Sequence, residues 1–337
     1  MWVFRCVLYQ HREQGLLVTL GICSFLLLEM VVFTSQNSRS LISSPSSGYT
    51  IRLLEGCIVG GVMYDSIMSQ AGAFDFVANY LSGGLDREKF TRLVDENSRQ
   101  LASAGLSEWE VNLLRRFPVN DSAALEELNR QFASGDTAEE RSARQKEFEA
   151  YRELIVPRFS HLTDRFTSIF PEETRAAFEL SRIMGPKNVV VAGSYYAYFA
   201  VWLIPGIQES GHMTCIDPDK EVCNLAEKNI AALGYSDRVS VVCDDAIAVL
   251  DNGDDPIDLL VVDAYGSRNY PDTRHHGKAI YGPILQAALP RLEKETVILA
   301  HNADRESGEL AEFFGLLSNP KLAVFLDTTE HLAAFLR

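Results

Sequence analysis

The feature that most constrains the fold is a series of four short apolar runs between residues 188 and 263. Each run is mainly apolar and ends in a glycine or an aspartate. Runs without polar alternation are typical of parallel strands that are buried on both faces. The sequence between them fits helices, so the region predicts repeated strand–helix–strand units. The runs occupy residues 188–193, 213–217, 241–245 and 258–263.

The residues that end these runs should lie close together. In an open parallel sheet, ligands bind in the crevice outside the carboxyl ends of the strands. We therefore expect a ligand crevice at this edge. The residues expected to line it are Gly193, Asp217, Asp245 and Asp263.

Two further features complete the predicted sheet. Residues 296–300 predict a fifth strand, which runs into His301 and Asn302. Residues 321–327 and 331–336 predict two strands that are separated by three residues, and so short a gap favours an antiparallel hairpin. The predicted fold class is α/β. It is a Rossmann-like, doubly wound, mostly parallel seven-stranded sheet with an antiparallel last strand, preceded by an all-helical N-terminal domain.

The residues before the sheet have helical patterns with clear start signals. Asp86 is placed to cap one helix, and Ser107 and Thr137 each begin a capping box. Pro157 is expected to end the helix that Thr137 starts. The predicted organisation is a hydrophobic leader with a Ser-rich linker at 1–62, a helical domain at 63–155 and the α/β domain at 156–337.

Residues 15–33 of the leader are long and apolar enough to cross a bilayer. Arg5 and Arg12 precede this stretch, as in a signal anchor, whereas Glu29 inside it opposes membrane insertion. Two interpretations stay open. Residues 15–33 are a membrane anchor, or Met1 is an over-extended start and the folded protein begins near Met63.

Composition limits the class of partner. The net charge is −15, which opposes binding to a phosphate backbone, so we expect no nucleic-acid partner. The six cysteines form no CxxC pair or zinc spacing. Cys215 and Cys243 fall inside predicted strands and read as buried thiols, which fits a reducing compartment. We expect a cytoplasmic protein or, alternatively, a membrane-anchored one whose catalytic domain faces the cytosol.

The strand-end residues each have a functional and a structural interpretation. Gly193 lets backbone approach a ligand, or simply makes a turn. Because Tyr195, Tyr196 and Ala197 follow it, the dinucleotide pattern GxGxxG is absent, which argues against NAD or FAD. Asp217 suits a ribose diol, or the N-cap of the next helix.

The remaining polar residues leave similar alternatives. Asp245 either lies by an adenine amino group or caps a helix. Asp263 could hold a metal or orient a substrate hydroxyl, and His301 is a candidate general base. Asn302 could ligate a hard cation, although loop polarity alone would explain both it and His301.

Taken in order, these segments resemble class I S-adenosylmethionine (SAM)-dependent methyltransferases of the catechol O-methyltransferase type. The resemblance covers roughly residues 160–337. Ile216-Asp217-Pro218-Asp219 is similar to the family's ribose-binding motif, and Val262-Asp263-Ala264 is similar to its metal-binding motif. The resemblance implies SAM as cofactor. The cofactor-binding residues that it implies are Gly193, Ser194, Tyr195, Asp217, Asp245 and Ala246.

The chain departs from the family pattern at functionally sensitive positions. Val191, Ala197 and Phe199 replace the first motif's Glu, second Gly and Ser. His301 replaces one aspartate of the metal site, whose other members would be Asp263 and Asn302. Since Mg²⁺ prefers oxygen ligands, this favours metal-independent chemistry with His301 and Asp263 as catalytic residues.

The leading functional prediction is methyl transfer from SAM to an oxygen atom of a small molecule. One alternative is SAM-dependent aminobutyrate transfer, as in nicotianamine-synthase-like enzymes, which also join a helical domain to this fold. Another is a decayed, non-catalytic methyltransferase fold used for binding. The helical domain is a candidate lid or homodimer contact.

Overall fold

The computed structural model describes residues Tyr9–Gln10 and Leu17–Val18 and the ranges 62–118, 122–159 and 169–337. It divides into two compact units, Met1–Leu54 and Glu55–Arg337. In the first unit, strands β1 (Tyr9–Gln10) and β2 (Leu17–Val18) pair antiparallel. Apart from Leu17–Val18, the predicted anchor at 15–33 lies outside the described residues. None of the helices that the structure describes is both long enough and apolar enough to cross a membrane.

A seven-stranded mixed sheet forms the centre of the second unit. Its spatial order is β5-β4-β3-β6-β7-β9-β8. The first five strands of this order are parallel, and β9 is antiparallel to both β7 and β8. The predicted fold class is therefore confirmed, including the reversed last strand. The strands are β3 (Asn188–Ala192), β4 (His212–Asp217), β5 (Val239–Cys243), β6 (Ile257–Val262), β7 (Leu292–Ala300), β8 (Leu322–Phe325) and β9 (Ala333–Leu336).

Helices cover both faces of the sheet, which explains the apolar runs without alternation. Val189 and Val191 of β3 point into one hydrophobic core, and Val190 and Ala192 point into another. Successive side chains of a strand face opposite sides, so every position must be apolar when both sides are covered. The covering helices are α8 (Pro171–Met184), α9 (Tyr198–Val201), α10 (Lys220–Ala232), α11 (Ala246–Asp251), α12 (Tyr281–Ala288) and α13 (Ala311–Leu316).

Seven helices precede α8 in the described part of the second unit. The predicted start signals are present: Asp86 accepts from the Lys89 N–H at 2.7 Å, and Ser107 and Glu110 cap each other. Thr137 and Glu140 make the same reciprocal contacts. The helices are α1 (Val62–Ala71), α2 (Asp75–Leu81), α3 (Arg87–Glu96), α4 (Ser98–Ser103), α5 (Glu108–Arg116), α6 (Ser122–Phe132) and α7 (Ala138–Phe159).

The expectation that Pro157 ends its helix was wrong. Helix α7 continues through Pro157 to Phe159. Proline removes one intrahelical hydrogen bond, and the last turn of a helix tolerates this loss better than the interior because few bonds follow it. Ile155 and Phe159 are buried in the core beside the sheet, and this packing stabilises the extra turn.

The N-terminal helices contact the elements that surround the sheet. Residues Glu55–Arg337 form one compact unit, and the boundary near residue 155 stays a prediction. Phe170, which directly precedes α8, is buried in the core of the N-terminal helices and packs edge-on against Phe117, with ring centroids 5.5 Å apart. Arg87 of α3 also pairs with Asp327 beyond β8, at 2.6 Å.

Candidate functional site

A cavity of about 570 Å³ lies at the carboxyl ends of β3, β4, β5 and β6. The structure brings Gly193, Asp217, Asp245 and Asp263 together on its wall, as the strand order requires. A volume of this size suits a small-molecule ligand. Of the other predicted site residues, Ser194, Tyr195, Ala246 and Asn302 line the cavity, and His301 does not.

Gly193 is required at its position for steric reasons. Its φ is +83°, and an added Cβ would lie 2.5 Å from both the Ala264 Cα and the Asp263 carbonyl oxygen. The Gly193 N–H donates to the carbonyl of Ile216 at 2.9 Å. The glycine therefore lets the chain turn away from β3 while three strand ends remain in close contact.

The loop after Gly193 adopts an unusual conformation. Tyr195 and Ala197 have φ values of 47° and 71°, which residues other than glycine seldom adopt. Such backbone strain tends to occur where ligands bind. In addition, the Ser194 hydroxyl oxygen is buried and has no hydrogen-bond partner within the described protein. An unpaired buried hydroxyl on a cavity wall is suited to a polar group of a ligand.

Asp217 does not cap the next helix, which was the alternative to a contact with a ligand. The neighbouring Asp219 caps α10 instead, accepting from the N–H groups of Glu221 and Val222. Asp217 accepts from the Tyr195 N–H and the Asp219 N–H, each at 3.0 Å. Burial raises the pKa of its carboxyl, while these two donors oppose the rise. The backbone thus fixes Asp217 at the cavity wall with lone pairs available for a ligand.

Asp245 caps a helix and also lies on the cavity wall. One carboxylate oxygen caps α11 by accepting from the N–H groups of Ile247 and Ala248, and Asp245 also lines the cavity. Its other oxygen accepts from the Tyr270 hydroxyl at 2.8 Å. Tyr270 comes from the loop after β6, so this contact connects that loop to the opposite wall of the cavity.

His301 lies inside a buried group of charges. Its Nδ1 is 3.1 Å from Asp263 Oδ1, and its Nε2 is 3.1 Å from Glu173 Oε2. Burial alone would lower the pKa of His301, but the two carboxylates outweigh it and raise the pKa to about 10. Burial alone would likewise raise the pKa of Asp263, but His301 and Lys278 hold it below its usual value.

This arrangement argues against the base role predicted for His301. The side chain is only 1% exposed, and each ring nitrogen contacts a carboxylate, so neither nitrogen is free to take a proton from a ligand in the cavity. The contact of its Nδ1 with Asp263 instead helps to hold this carboxylate in place. Asp263 itself remains at the cavity wall, where it can contact a ligand.

Two residues beside Asp263 and His301 were not predicted from the sequence. Lys278 lies in the loop after β6, and its Nζ is 3.2 Å from Asp263 Oδ1. Glu173 lies in the first turn of α8, where an acidic residue is common because it interacts favourably with the helix dipole. Neither has a local motif that reveals its position. His275 and His276, which lie in the same loop as Lys278, are not among the described residues that line the cavity.

Comparisons with known proteins agree with this geometry. Residues 190–303 match the family model described as a methyltransferase domain. A curated relative is the catechol O-methyltransferase of Niastella koreensis, 24% identical over 149 residues, which cover 43% of this chain and 62% of the relative. The chain thus spans about three-fifths of that relative. Residues 190–303 thus match a methyltransferase domain, and the sheet order agrees with the resemblance to class I SAM-dependent methyltransferases.

Solved structures also resemble this chain. The O-methyltransferase from Bacillus cereus in complex with S-adenosylhomocysteine (SAH) is 18% identical, with 55% of this chain and 90% of that chain covered and a TM-score of 0.45. The O-methyltransferase TomG from Streptomyces achromogenes in complex with SAM is 16% identical, with coverages of 58% and 88% and a TM-score of 0.41. Both TM-scores are below 0.5, so neither structure supports a functional assignment.

Proposed function

We propose that the chain binds SAM and transfers its methyl group to an oxygen atom of a small molecule. The observation that carries this proposal is the cavity at the strand ends, where Asp217 is held by two backbone N–H groups and is not used as a helix cap. The match to the methyltransferase family model over residues 190–303 supports it.

The cavity residues suit the parts of SAM, which supplies a methyl group on a positively charged sulfonium. Asp217 would accept hydrogen bonds from the ribose hydroxyls. Ser194, with its unpaired hydroxyl, would contact the polar end of the methionine part. Asp245 and Ala246 would lie at the adenine. Gly193 and Tyr195, in the loop after β3, would border the bound cofactor. The acidic lining favours a cationic ligand.

We further propose a small-molecule acceptor and no nucleic-acid partner, because the cavity is of small-molecule size and the chain is acidic. A cytoplasmic location follows from the need for SAM. Anchoring through residues 15–33 and a homodimer contact through the N-terminal helices remain proposals of the same kind.

The first experiment is calorimetric titration with SAH. The wild type should bind, and Asp217→Ala should lose at least about tenfold in affinity because a ribose diol would lose its acceptor. Asp254→Ala is the matched control, since Asp254 is exposed and lies before β6, at the other end of the strand. Absence of heat in the wild type would instead favour a non-catalytic fold.

The second experiment identifies the product of SAM turnover. Mass spectrometry should detect SAH when a methyl group is transferred. Methylthioadenosine would instead indicate aminobutyrate transfer and would overturn the methyltransferase proposal, although SAM binding would stand.

A further inference from the structure

Lys278 is the only basic side chain among the described residues that line the cavity. Four aspartates line the same cavity. Among the charged side chains described on its wall, this ammonium group is therefore a single positive charge beside four acidic ones. The lining aspartates are Asp217, Asp219, Asp245 and Asp263.

The Lys278 ammonium is firmly positioned. Its Nζ donates to Asp263 Oδ1 at 3.2 Å and to the Tyr281 hydroxyl at 3.0 Å. The Tyr281 hydroxyl donates in turn to the buried carbonyl of His301 at 2.6 Å. At the other end of the residue, the Lys278 N–H donates to Glu309 Oε2 at 2.9 Å. An ammonium has three protons, so one remains for a ligand in the cavity.

The metal site that the resemblance implies does not fit these residues. Both ring nitrogens of His301 contact carboxylates, so the ring has no free nitrogen for a metal. Asn302 donates its amide N–H to Glu330. Asp263 already contacts the Lys278 ammonium at 3.2 Å, and this positive charge would repel a divalent ion. Across the ranges that the structure describes, no group of three or more His, Cys, Asp or Glu side chains is placed to hold a metal.

We propose that the Lys278 ammonium replaces the divalent cation of the resembled family and binds the acceptor oxygen as its anion beside Asp263. This inference rests on the proposed methyl transfer. The acceptor first loses its proton to water. Its oxygen lone pair then forms the bond to the methyl carbon, the carbon–sulfur bond breaks with its electron pair on sulfur, and the negative and positive charges cancel.

This replacement also limits the acceptor. A divalent metal can chelate two neighbouring oxygens, whereas a lysine ammonium with one available proton binds one. Aromatic and aliphatic side chains on the cavity wall favour a flat apolar body for the acceptor. The acceptor class is therefore a planar molecule with a single acidic hydroxyl, without need of a vicinal diol. The apolar lining includes Tyr198, Phe199, Ile280 and Ile284.

The test compares the full-length wild type with Lys278→Met, Lys278→Arg and the control Lys294→Met, an exposed position on β7. SAH affinity should be equal within about threefold in all four proteins. With 4-nitrophenol as acceptor, kcat/KM should fall about a hundredfold or more in Lys278→Met, as when an oxyanion donor is removed. Lys278→Arg should keep part of the rate, because it keeps the charge. The wild-type rate should be the same with EDTA and with added Mg²⁺.

A spectroscopic measurement gives a readout besides activity. The 4-nitrophenolate anion absorbs visible light, so its ionisation can be followed when it is bound to the SAH complex. Wild type should stabilise the anion and lower its apparent pKa, and Lys278→Met should not.

Two results would overturn the inference: identical nitrophenolate spectra in these two proteins, or a wild-type rate that depends on Mg²⁺. Failure of the wild type to bind SAH or to methylate any acceptor would instead refute the proposed function itself.

Discussion

At the scale of single residues, the Ser194 hydroxyl best distinguishes a role in ligand binding from a role in folding stability. It is buried without a partner, so it contributes nothing evident to folding. We expect Ser194→Ala to leave the free energy of unfolding unchanged or slightly raised, and to weaken SAH binding about five- to tenfold through loss of one hydrogen bond. Chemical denaturation and calorimetry measure the two effects.

Ser181→Ala provides the opposite pattern as a control. The Ser181 hydroxyl is buried and donates to the carbonyl of Leu203. Its removal should lower stability by about 1 kcal/mol and leave SAH affinity unchanged. Equal SAH affinity in Ser194→Ala and wild type would remove Ser194 from the binding site.

Gly193 should tolerate no side chain. A Cβ would lie 2.5 Å from backbone atoms of Asp263 and Ala264, which cannot move without displacing β6, and its φ of +83° disfavours alanine. We expect Gly193→Ala to destabilise the protein by roughly 3 kcal/mol or more, visible as a lower thermal midpoint. Gly135→Ala should change the midpoint little, because nothing lies within 4 Å of that Cβ. Similar midpoints for the two variants would contradict the packing described.

The same strand ends show what the sequence could predict. Gly193, Asp217 and Asp263 each follow a buried apolar run, and parallel strands bring such positions to one edge. Lys278 and Glu173 were not predictable, because they reach Asp263 and His301 from a loop and from another helix. Glu173 is 128 residues away from His301 in the chain. This distant carboxylate contacts Nε2 of His301, so the sequence could not show that both ring nitrogens of His301 already have partners.

At the scale of elements, α8 joins the sheet through two consecutive buried carboxyl groups. Glu172 accepts from the backbone and hydroxyl of Thr329, and Glu173 Oε1 accepts from the Glu330 N–H at 2.7 Å. Both acceptors therefore bind the turn between β8 and β9. Burial, with the neighbouring charge of Glu173, raises the pKa of Glu172 to about 8.

The raised pKa of Glu172 predicts a pH-dependent stability. Its unfolded value is 4.5, so between about pH 4.5 and 8 the folded state binds more protons than the unfolded state. The free energy of unfolding must then fall as the pH rises through this window. Glu172→Gln keeps the acceptor oxygen and removes the titration. Its stability relative to wild type should increase from pH 5 to pH 8, by roughly 1 kcal/mol or more.

Urea denaturation of both proteins at the two pH values measures this difference. Taking the difference between variant and wild type removes the titration of His301, whose raised pKa also makes stability fall between its unfolded value of 6.5 and about 10. Glu209→Gln, at an exposed position, is the control and should show no such trend. A difference that does not vary with pH would show that Glu172 ionises normally in the folded protein.

At the scale of the whole molecule, one connected set of buried contacts links the N-terminal helices to the cavity. Phe117 packs against Phe170, which precedes α8, and the Phe170 N–H donates to Glu173 at 2.9 Å. Glu173 contacts His301, which contacts Asp263 at the cavity wall. The helices therefore help to hold Asp263 at the cavity wall, although they do not supply the strand ends that form the cavity.

This connection predicts that the second unit unfolds in a single cooperative transition. Phe117→Ala removes a fully buried ring and should cost about 3–5 kcal/mol. Because Phe117 and the sheet belong to the same compact unit, helix content and SAH binding should be lost together, at one lowered midpoint. Far-ultraviolet circular dichroism and SAH titration across temperature measure the two. Loss of helix signal at temperatures where SAH still binds with wild-type affinity would show instead that the N-terminal helices fold independently of the methyltransferase domain.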